Sequence, residues 1–315
     1  MKVIRRAGFA GLFVLSAISI VACSSSDTTS ETTVVTATPV VEPDYPVTAG
    51  GITLTEQPKR IVSLSPTHTE MLYAIGAGDQ VVAVDEYSNF PAEAVALGTK
   101  LSGYEPSIEA IAGYEPDLVV ASYDPGNLVE QLNALDIPVY LAGGAASLDQ
   151  AYEQIEQLGA LTGNSEVATQ LTTRMKDEIA AAVASVGSLS EPVSYFYELD
   201  NTYYTVTSNT FVGQIFKLFG LENIADGVEA GNDYPQLSSE VIVASDPDLI
   251  FLADTKCCGQ TSETVSARDG WQKMDAVVNK RIVQLDDDVA SRWGPRIVEL
   301  VTSIGKGLSL VEAGS

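Results

Sequence analysis

The chain reads as an α/β protein of two lobes, each with a mainly parallel sheet, joined by one long rigid α-helix with a ligand cleft between the lobes. Three observations predict this. Short apolar, β-branched runs alternate with helix-forming stretches from Arg60 onward, and the alternation restarts in the last third of the chain. That rhythm marks parallel sheets covered by helices on both faces. A single uninterrupted helical stretch separates the two series. Finally, "SIEAIAGYEPDLVVA" returns later as "SSEVIVASDPDLIFLA", matching Ser107 with Ser238, Glu109 with Glu240 and Asp117 with Asp248. The expectation is two Rossmann-like lobes with equivalent elements in each.

Residues 1–22 stand apart from the fold. "MKVIRR" is basic, an apolar run follows, and Ile20-Val21-Ala22 precede Cys23. This is a secretion signal and resembles a bacterial lipoprotein signal, which implies lipidation at Cys23. The apolar run is short for a membrane span. Residues 23–55, rich in Ser, Thr, Val and Pro, lack helical periodicity and read as a flexible tether after the lipidated cysteine. Such a tether reaches about 30 Å.

The N-terminal lobe is expected over 56–163. "RIVSL" opens it as a buried strand. A helix over 67–75 follows, with Ser65 or Thr67 near its N-cap, Glu70 three residues after Thr67, and Gly76 and Gly78 as stops. "VVAVDEY" is the next strand. Helix 107–113, strand "DLVVAS", helix 126–135 and strand "IPVYLA" continue the series. "SLDQAYEQIEQLGALTG" is a helix closed by Gly163.

The connecting helix, 164–187, has Asn164 or Ser165 as its cap, strong helix formers throughout and Gly187 as its stop. Its span of roughly 33 Å is the width of a small domain. The C-terminal lobe, 188–315, starts with two strand-like runs, "VSYFYEL" and "TYYTVTS". Helix "TFVGQIFKLFG", helix "SSEVIVASD", strand "PDLIFLAD", strand "RIVQLD" and a terminal helix follow. A boundary between two such lobes is a preferred ligand site, lined by the loops that leave the strands.

With 315 residues the chain has room for two domains, and its formal charge is −25. Loss of Lys2, Arg5 and Arg6 with the signal makes it more negative still. Without a basic stripe, nucleic acid and anionic headgroups are poor partners, and the charge itself serves solubility. Cys257 and Cys258 are adjacent, so they can bond only each other or another molecule. A vicinal disulfide, free thiols and metal binding are the alternatives, and neither CxxC spacing nor a histidine cluster supports zinc.

His68 is the sole histidine. It sits at a helix start where a polar residue is common, yet its loop faces the expected cleft, which makes it a candidate ligand contact. One histidine does not make a protein-only metal site. Tyrosines outnumber phenylalanines thirteen to eight, and several, including Tyr87, Tyr104 and Tyr234, fall in or beside loops. Rings with polar tips suit a large flat ligand edged with amides or carboxylates. Trp293, in the loop before the last helix, is a further candidate, whereas Trp271 reads as structural. "DTKCCGQT" follows a strand and points to the cleft as ligand contact or rigid turn. GxSxG, HExxH, P-loop and GxGxxG motifs are all missing, so no catalytic residue is assigned and the chain is not read as an enzyme.

Taken in order, "RIVSLSPTHTEMLYAIG", "EYSNFP", "IEAIAGYEPDLVV", the long mid-chain helix, "YPQLSSEVIVASDPDLIF" and "RWGPRIVEL" resemble substrate-binding proteins of bacterial ABC importers. The class is the one serving cobalamin, ferric siderophores and heme, and the likeness covers about residues 56–312. Its vitamin B12-binding branch is the most similar. The resemblance implies ligand contacts at Tyr87, Asp288 and Arg292. Tyr234 stands where that branch has a tryptophan, and Gly103, with Tyr104 beside it, falls at the branch's other cleft tryptophan.

It also implies that Glu109 and Glu240 dock on arginines of the permease dimer. Two distant carboxylates meeting two basic pockets would fix orientation and speed encounter. The same register in both lobes also follows from duplication alone. The implied function is capture of cobalamin or another metal chelate by an exported, lipid-anchored protein, with no cofactor of its own. Delivery would be to an ABC importer permease with its ATPase; a ferric siderophore or heme is the alternative ligand.

Overall fold

The computed structural model describes residues 45–312 apart from 188 and 190. The signal, Cys23 and the first part of the expected tether lie outside the described residues. The tether assignment extends too far, because a folded hairpin precedes residue 55. Strands β1 (Val47–Ala49) and β2 (Ile52–Leu54) pair antiparallel, with Val47 opposite Leu54. Gly50 and Gly51 turn the hairpin with φ of 55° and 79°, the positive values that a tight two-residue turn needs. Gly50 lies against Tyr140, where any Cβ would come within 2.2 Å of the ring. Tyr45 donates its hydroxyl to the Leu161 carbonyl.

The first lobe contains β3 (Ile61–Leu64), α1 (Pro66–Ala74), β4 (Val81–Val84), α2 (Ala92–Ala96), α3 (Ile108–Ala112), β5 (Leu118–Ala121), α4 (Leu128–Asn133), β6 (Val139–Leu141) and α5 (Leu148–Thr162). Its sheet has the order β4-β3-β5-β6, with every pairing parallel. Strands β3 and β5 are buried along their whole length, as central strands of a doubly covered sheet must be. The bridging helix α6 (Ser165–Val186) has 22 residues and ends at Gly187, φ 74°.

The second lobe follows with β7 (Ser194–Glu198), α7 (Phe211–Lys217), β8 (Glu222–Asn223), α8 (Ser239–Ser245), β9 (Leu249–Leu252), α9 (Ser262–Ser266), α10 (Asp275–Val278), β10 (Ile282–Gln284), α11 (Asp287–Ser291) and α12 (Ile297–Glu312). Its order is β10-β9-β7-β8, again all parallel. The strand expected from "TYYTVTS" does not form. Tyr203 takes φ 70°, Asp200 captures the Thr202 amide, and a single bridge joins Tyr204 to Gln236. The apolar character of this run serves packing instead, with Tyr203 stacked on Trp271.

The repeated phrase does equivalent work in both lobes. Ser107 caps α3 by accepting from the Ala110 amide, and Ser238 caps α8 by accepting from Val241. Asp117 accepts from the backbone of Lys59 and Arg60 beside the start of β3. Asp248 accepts from the Ser194 amide at the start of β7. Each aspartate thereby pins the strand next to its own.

Helix α6 does not join the lobes alone. Its buried stripe, Ala168, Leu171, Thr172, Met175 and Ile179, packs between α5 and α12. One continuous apolar core runs from Met71 and Leu158 through Leu171 and Met175 to Ile304 and Phe251. Two smaller cores cover the outer sheet faces, around Ile111 in the first lobe and around Trp271 in the second.

Candidate ligand cleft between the lobes

The cleft lies where the carboxyl ends of β3, β4 and β5 face the corner between α11 and α12, and it encloses about 290 Å³. That corner follows β10, so both sheets supply the lining from their strand ends, as open parallel sheets do. A larger hollow of about 730 Å³ opens on the flank of the first lobe, between Tyr73, Phe90, Glu93 and Arg296. It takes only Pro295 and Arg296 from the second lobe, whereas Asp288, Ser291, Arg292 and Trp293 line the smaller cleft opposite the strand ends of the first lobe, so the smaller cleft is the better candidate.

Three tyrosines form the first lobe's wall. Tyr104 lies between Tyr87, at 5.9 Å and near perpendicular, and Tyr123, at 5.6 Å and tilted by 31°. They are 54–62% exposed. Burial and the neighbouring Tyr123, Tyr87 and Asp85 raise the Tyr104 pKa, keeping it a neutral phenol. Gly103 has no room for a side chain, since a Cβ there would stand 2.5 Å from the Leu64 carbonyl oxygen. Tyr104 therefore supplies the ring at this place. Tyr123 also lines the cleft.

The opposite wall carries Asp288, Arg292 and Trp293. The Trp293 indole donates to Gln154 Oε1 at 2.7 Å. Both terminal nitrogens of Arg292 are engaged. It donates to Glu70 Oε1 at 2.7 Å, Asn89 Oδ1 at 2.9 Å, the Tyr87 carbonyl at 3.1 Å and Asp288 Oδ1 at 2.7 Å. Asn89 donates across the cleft to Asp288 Oδ2 at 3.0 Å, and Lys256 Nζ reaches Asp286 and Asp288, each at 2.7 Å. Burial acts against the Asp288 carboxylate, but Lys256, Arg292 and Asn89 together hold its pKa below the usual range.

Glu70 is the residue that sequence reasoning placed in the wrong role. The helix-capping pattern gave it to Thr67, yet α1 starts at Pro66, and its N-cap, Ser65, makes no side-chain cap bond. Glu70 accepts from Arg292 and from Arg296, the latter at 2.6 and 2.9 Å. Its side chain is 2% exposed. The signal was present: a glutamate inside an apolar helix, and two arginines four residues apart beside Pro295.

His68 corrects another expectation. It is fully buried and does not line the cleft. Its Nδ1 lies 2.9 Å from Ser65 Oγ and its Nε2 3.3 Å from Gln154 Oε1. The same Gln154 oxygen accepts from Trp293, so it also takes the Nε2 proton of a neutral imidazole. Burial lowers the pKa to about 4, against a smaller opposing effect of the Gln154 bond. His68 thus stands behind Trp293, edge-on at 5.9 Å, as its support.

Tyr234 is likewise not brought to the cleft. It is exposed on a loop whose Asp233 and Pro235 carbonyls accept from the Thr207 and Thr205 amides, and it is not among the residues that line the cleft. Cys257 and Cys258 are free thiols rather than a vicinal disulfide. Cys257 and Lys256 both donate backbone amides to Asp287, so "DTKCCGQT" is a turn tied to α11. Glu109 and Glu240 are exposed in the first turns of α3 and α8. Below the second sheet's carboxyl edge, Arg268 pairs with Glu198 through two 2.6 Å bonds. Asp254 beside it is fully buried with both oxygens unpaired. Burial and Glu198 raise its pKa to about 7.

Two parallel α/β lobes with a cleft at their strand ends, bridged by a packed helical layer, define a two-lobed solute-binding protein. The chain belongs to the periplasmic binding protein family, whose profile matches residues 61–289. It is 29% identical over 317 residues to an uncharacterized ABC transporter substrate-binding lipoprotein of Bacillus subtilis, covering 96% of this chain and 97% of the relative. It is 34% identical over 269 residues to a cobalamin-binding protein of Halobacterium salinarum, covering 83% and 72%. Among solved structures it matches the periplasmic vitamin B12 binding protein of Vibrio cholerae with a TM-score of 0.67, at 28% identity, over 81% of this chain and 98% of that one.

Proposed function

We propose that this chain is an extracytoplasmic, lipid-anchored substrate-binding protein that captures a corrinoid and delivers it to the permease dimer and ATPase of an ABC importer. The observation that carries this reading is the cleft, where three tyrosine rings of one lobe face Asp288, Arg292 and Trp293 of the other. Rings with hydroxyl tips offer apolar contact and hydrogen bonds to a flat macrocycle with a polar edge. At about 290 Å³ the cleft sits at the small end of ligand sites. A corrinoid would therefore seat one edge and project into solvent, or part the Asn89–Asp288 contact. The cobalamin-binding relatives support this choice of ligand, and the lipoprotein relative supports the anchor at Cys23.

The test is a ligand titration of the mature protein with cyanocobalamin, hemin and ferric siderophores, following tryptophan emission corrected for absorption. Trp293 lies in the cleft wall while Trp271 is buried in the second lobe's own core. The expected result is saturable quenching by cyanocobalamin that Trp293→Phe largely removes. Tight binding of hemin or a siderophore, with no response to cyanocobalamin, would replace the corrinoid reading with the alternative.

Glu109 and Glu240 are the docking residues in this reading, one on each lobe. Changing both to alanine should lower ligand uptake by cells at least severalfold and leave the affinity of the purified protein unchanged. A large loss of affinity would refute the docking role.

A further inference from the structure

We infer that the cleft selects its ligand by charge, taking one that is neutral or cationic with a hydrogen-donating edge, and rejecting one edged with carboxylates. The inference deepens the function proposed above and rests on it only for the choice of corrinoid probes. Its basis is the state of the cations at the cleft. Arg292 is bound by Glu70 and Asp288, and Lys256 by Asp286 and Asp288. Behind them, Arg296 is bound by Glu70. Five carboxylates, those of Glu70, Asp85, Asp286, Asp287 and Asp288, therefore stand against three cations in and immediately behind the lining.

An anionic ligand would have to displace one of these carboxylates from its cation. It would also leave that carboxylate beside the newcomer's own charge, in a partly dehydrated site where repulsion is poorly screened. An amide edge meets the opposite situation. Asp85 lines the cleft nearly buried and receives the Ser88 hydroxyl on one oxygen. Asp288 faces it from the other lobe with its side chain 19% exposed. These are acceptors for N–H groups, and a donor brought to them costs no broken ion pair. The tyrosine hydroxyls serve either role.

Asp288 is the specificity-determining residue in this scheme because it occupies both cations. Neutralising it frees Lys256 and Arg292 for a ligand carboxylate.

The experiment compares four probes by equilibrium dialysis: cyanocobalamin, the corrin carrying free carboxylates in place of amides (cobyrinic acid), hemin with its two propionates, and a cationic ferric hydroxamate (ferrioxamine). The carboxylated corrin and hemin should bind at least tenfold more weakly than the tightest uncharged or cationic probe. Raising the salt from low to molar concentration should narrow that ratio. Asp288→Asn should narrow it at least fivefold, while Glu222→Gln, at the far edge of the second sheet, leaves it unchanged. Asp85→Asn provides a second variant should Asp288→Asn misfold.

Equal or tighter binding of hemin or of the carboxylated corrin would overturn the inference. So would a ratio that Asp288→Asn and Asp85→Asn both leave intact. Binding of ferrioxamine with no corrin bound would uphold selection by charge and sink the corrinoid reading, so the two failures are separable.

Discussion

His68 and Asp254 are both buried and both hold the uncharged form, so they give the protein two opposed responses to pH. His68 has its pKa lowered from 6.5 to about 4. Its contribution to stability is complete above pH 6.5 and is lost as pH falls from 6.5 through 4, because the unfolded chain takes up the proton first. Asp254 has its pKa raised from 3.8 to about 7. Its contribution is complete below pH 3.8 and is lost as pH rises through 7. Melting temperatures measured from pH 4 to pH 8 should show both. The destabilisation caused by His68→Asn should shrink towards pH 4, and Asp254→Asn should gain most over the parent near pH 8.

Glu70 offers a larger effect. Glu70→Gln leaves two nearly buried guanidinium groups without their shared anion, and breaking a buried pair from one side costs about 3–5 kcal/mol. Urea unfolding of the variant measures it. None of these three roles was readable from the sequence in full. Tyr87, Asp288 and Arg292, expected from the resemblance, and Tyr104 and Trp293, expected from their loops, all line the cleft. Glu70 has partners 222 and 226 positions away, and no local pattern encodes such a distance. Tyr234 was assigned by resemblance, and it is exposed outside the lining of the cleft.

Among the elements, the helices and central strands were legible because burial on both faces leaves an unbroken apolar run, and because Gly163 and Gly187 mark where α5 and α6 stop. Two short segments were not. The hairpin at 47–54 has the composition of a tether, and its apolar residues acquire meaning only against α5 and Tyr140. The run at 202–208 has strand composition but a turn at Asp200 in front of it. The contact of α5 with α6 depends on one small residue. A Cβ on Gly159 would come within 2.4 Å of the Ala168 Cβ. Gly159→Val should push the helices apart and cost about 1–3 kcal/mol, as overpacking does. Chemical denaturation would read the loss, and an unchanged midpoint would show that the helices can slide.

At the scale of the whole molecule, the internal repeat predicted the two lobes and the uninterrupted helical stretch predicted the long helix that joins them. The core that the two lobes share was not legible, because it depends on side chains far apart in the chain. That core passes through α5, α6 and α12 without a break, and the Glu70 network closes the seam beside the cleft. Large opening motions would have to break both, so ligand entry is expected to rely on the loops at 85–91 and 254–260 rather than on lobe rotation. The repeated glutamates on α3 and α8 then keep a nearly fixed separation with and without ligand.

The unbroken core also governs how the protein fails on heating. Neither lobe can melt while its neighbour persists, because the apolar side chains that each would lose are the ones the other needs. Scanning calorimetry should therefore record one endotherm, with its van't Hoff enthalpy matching the integrated heat.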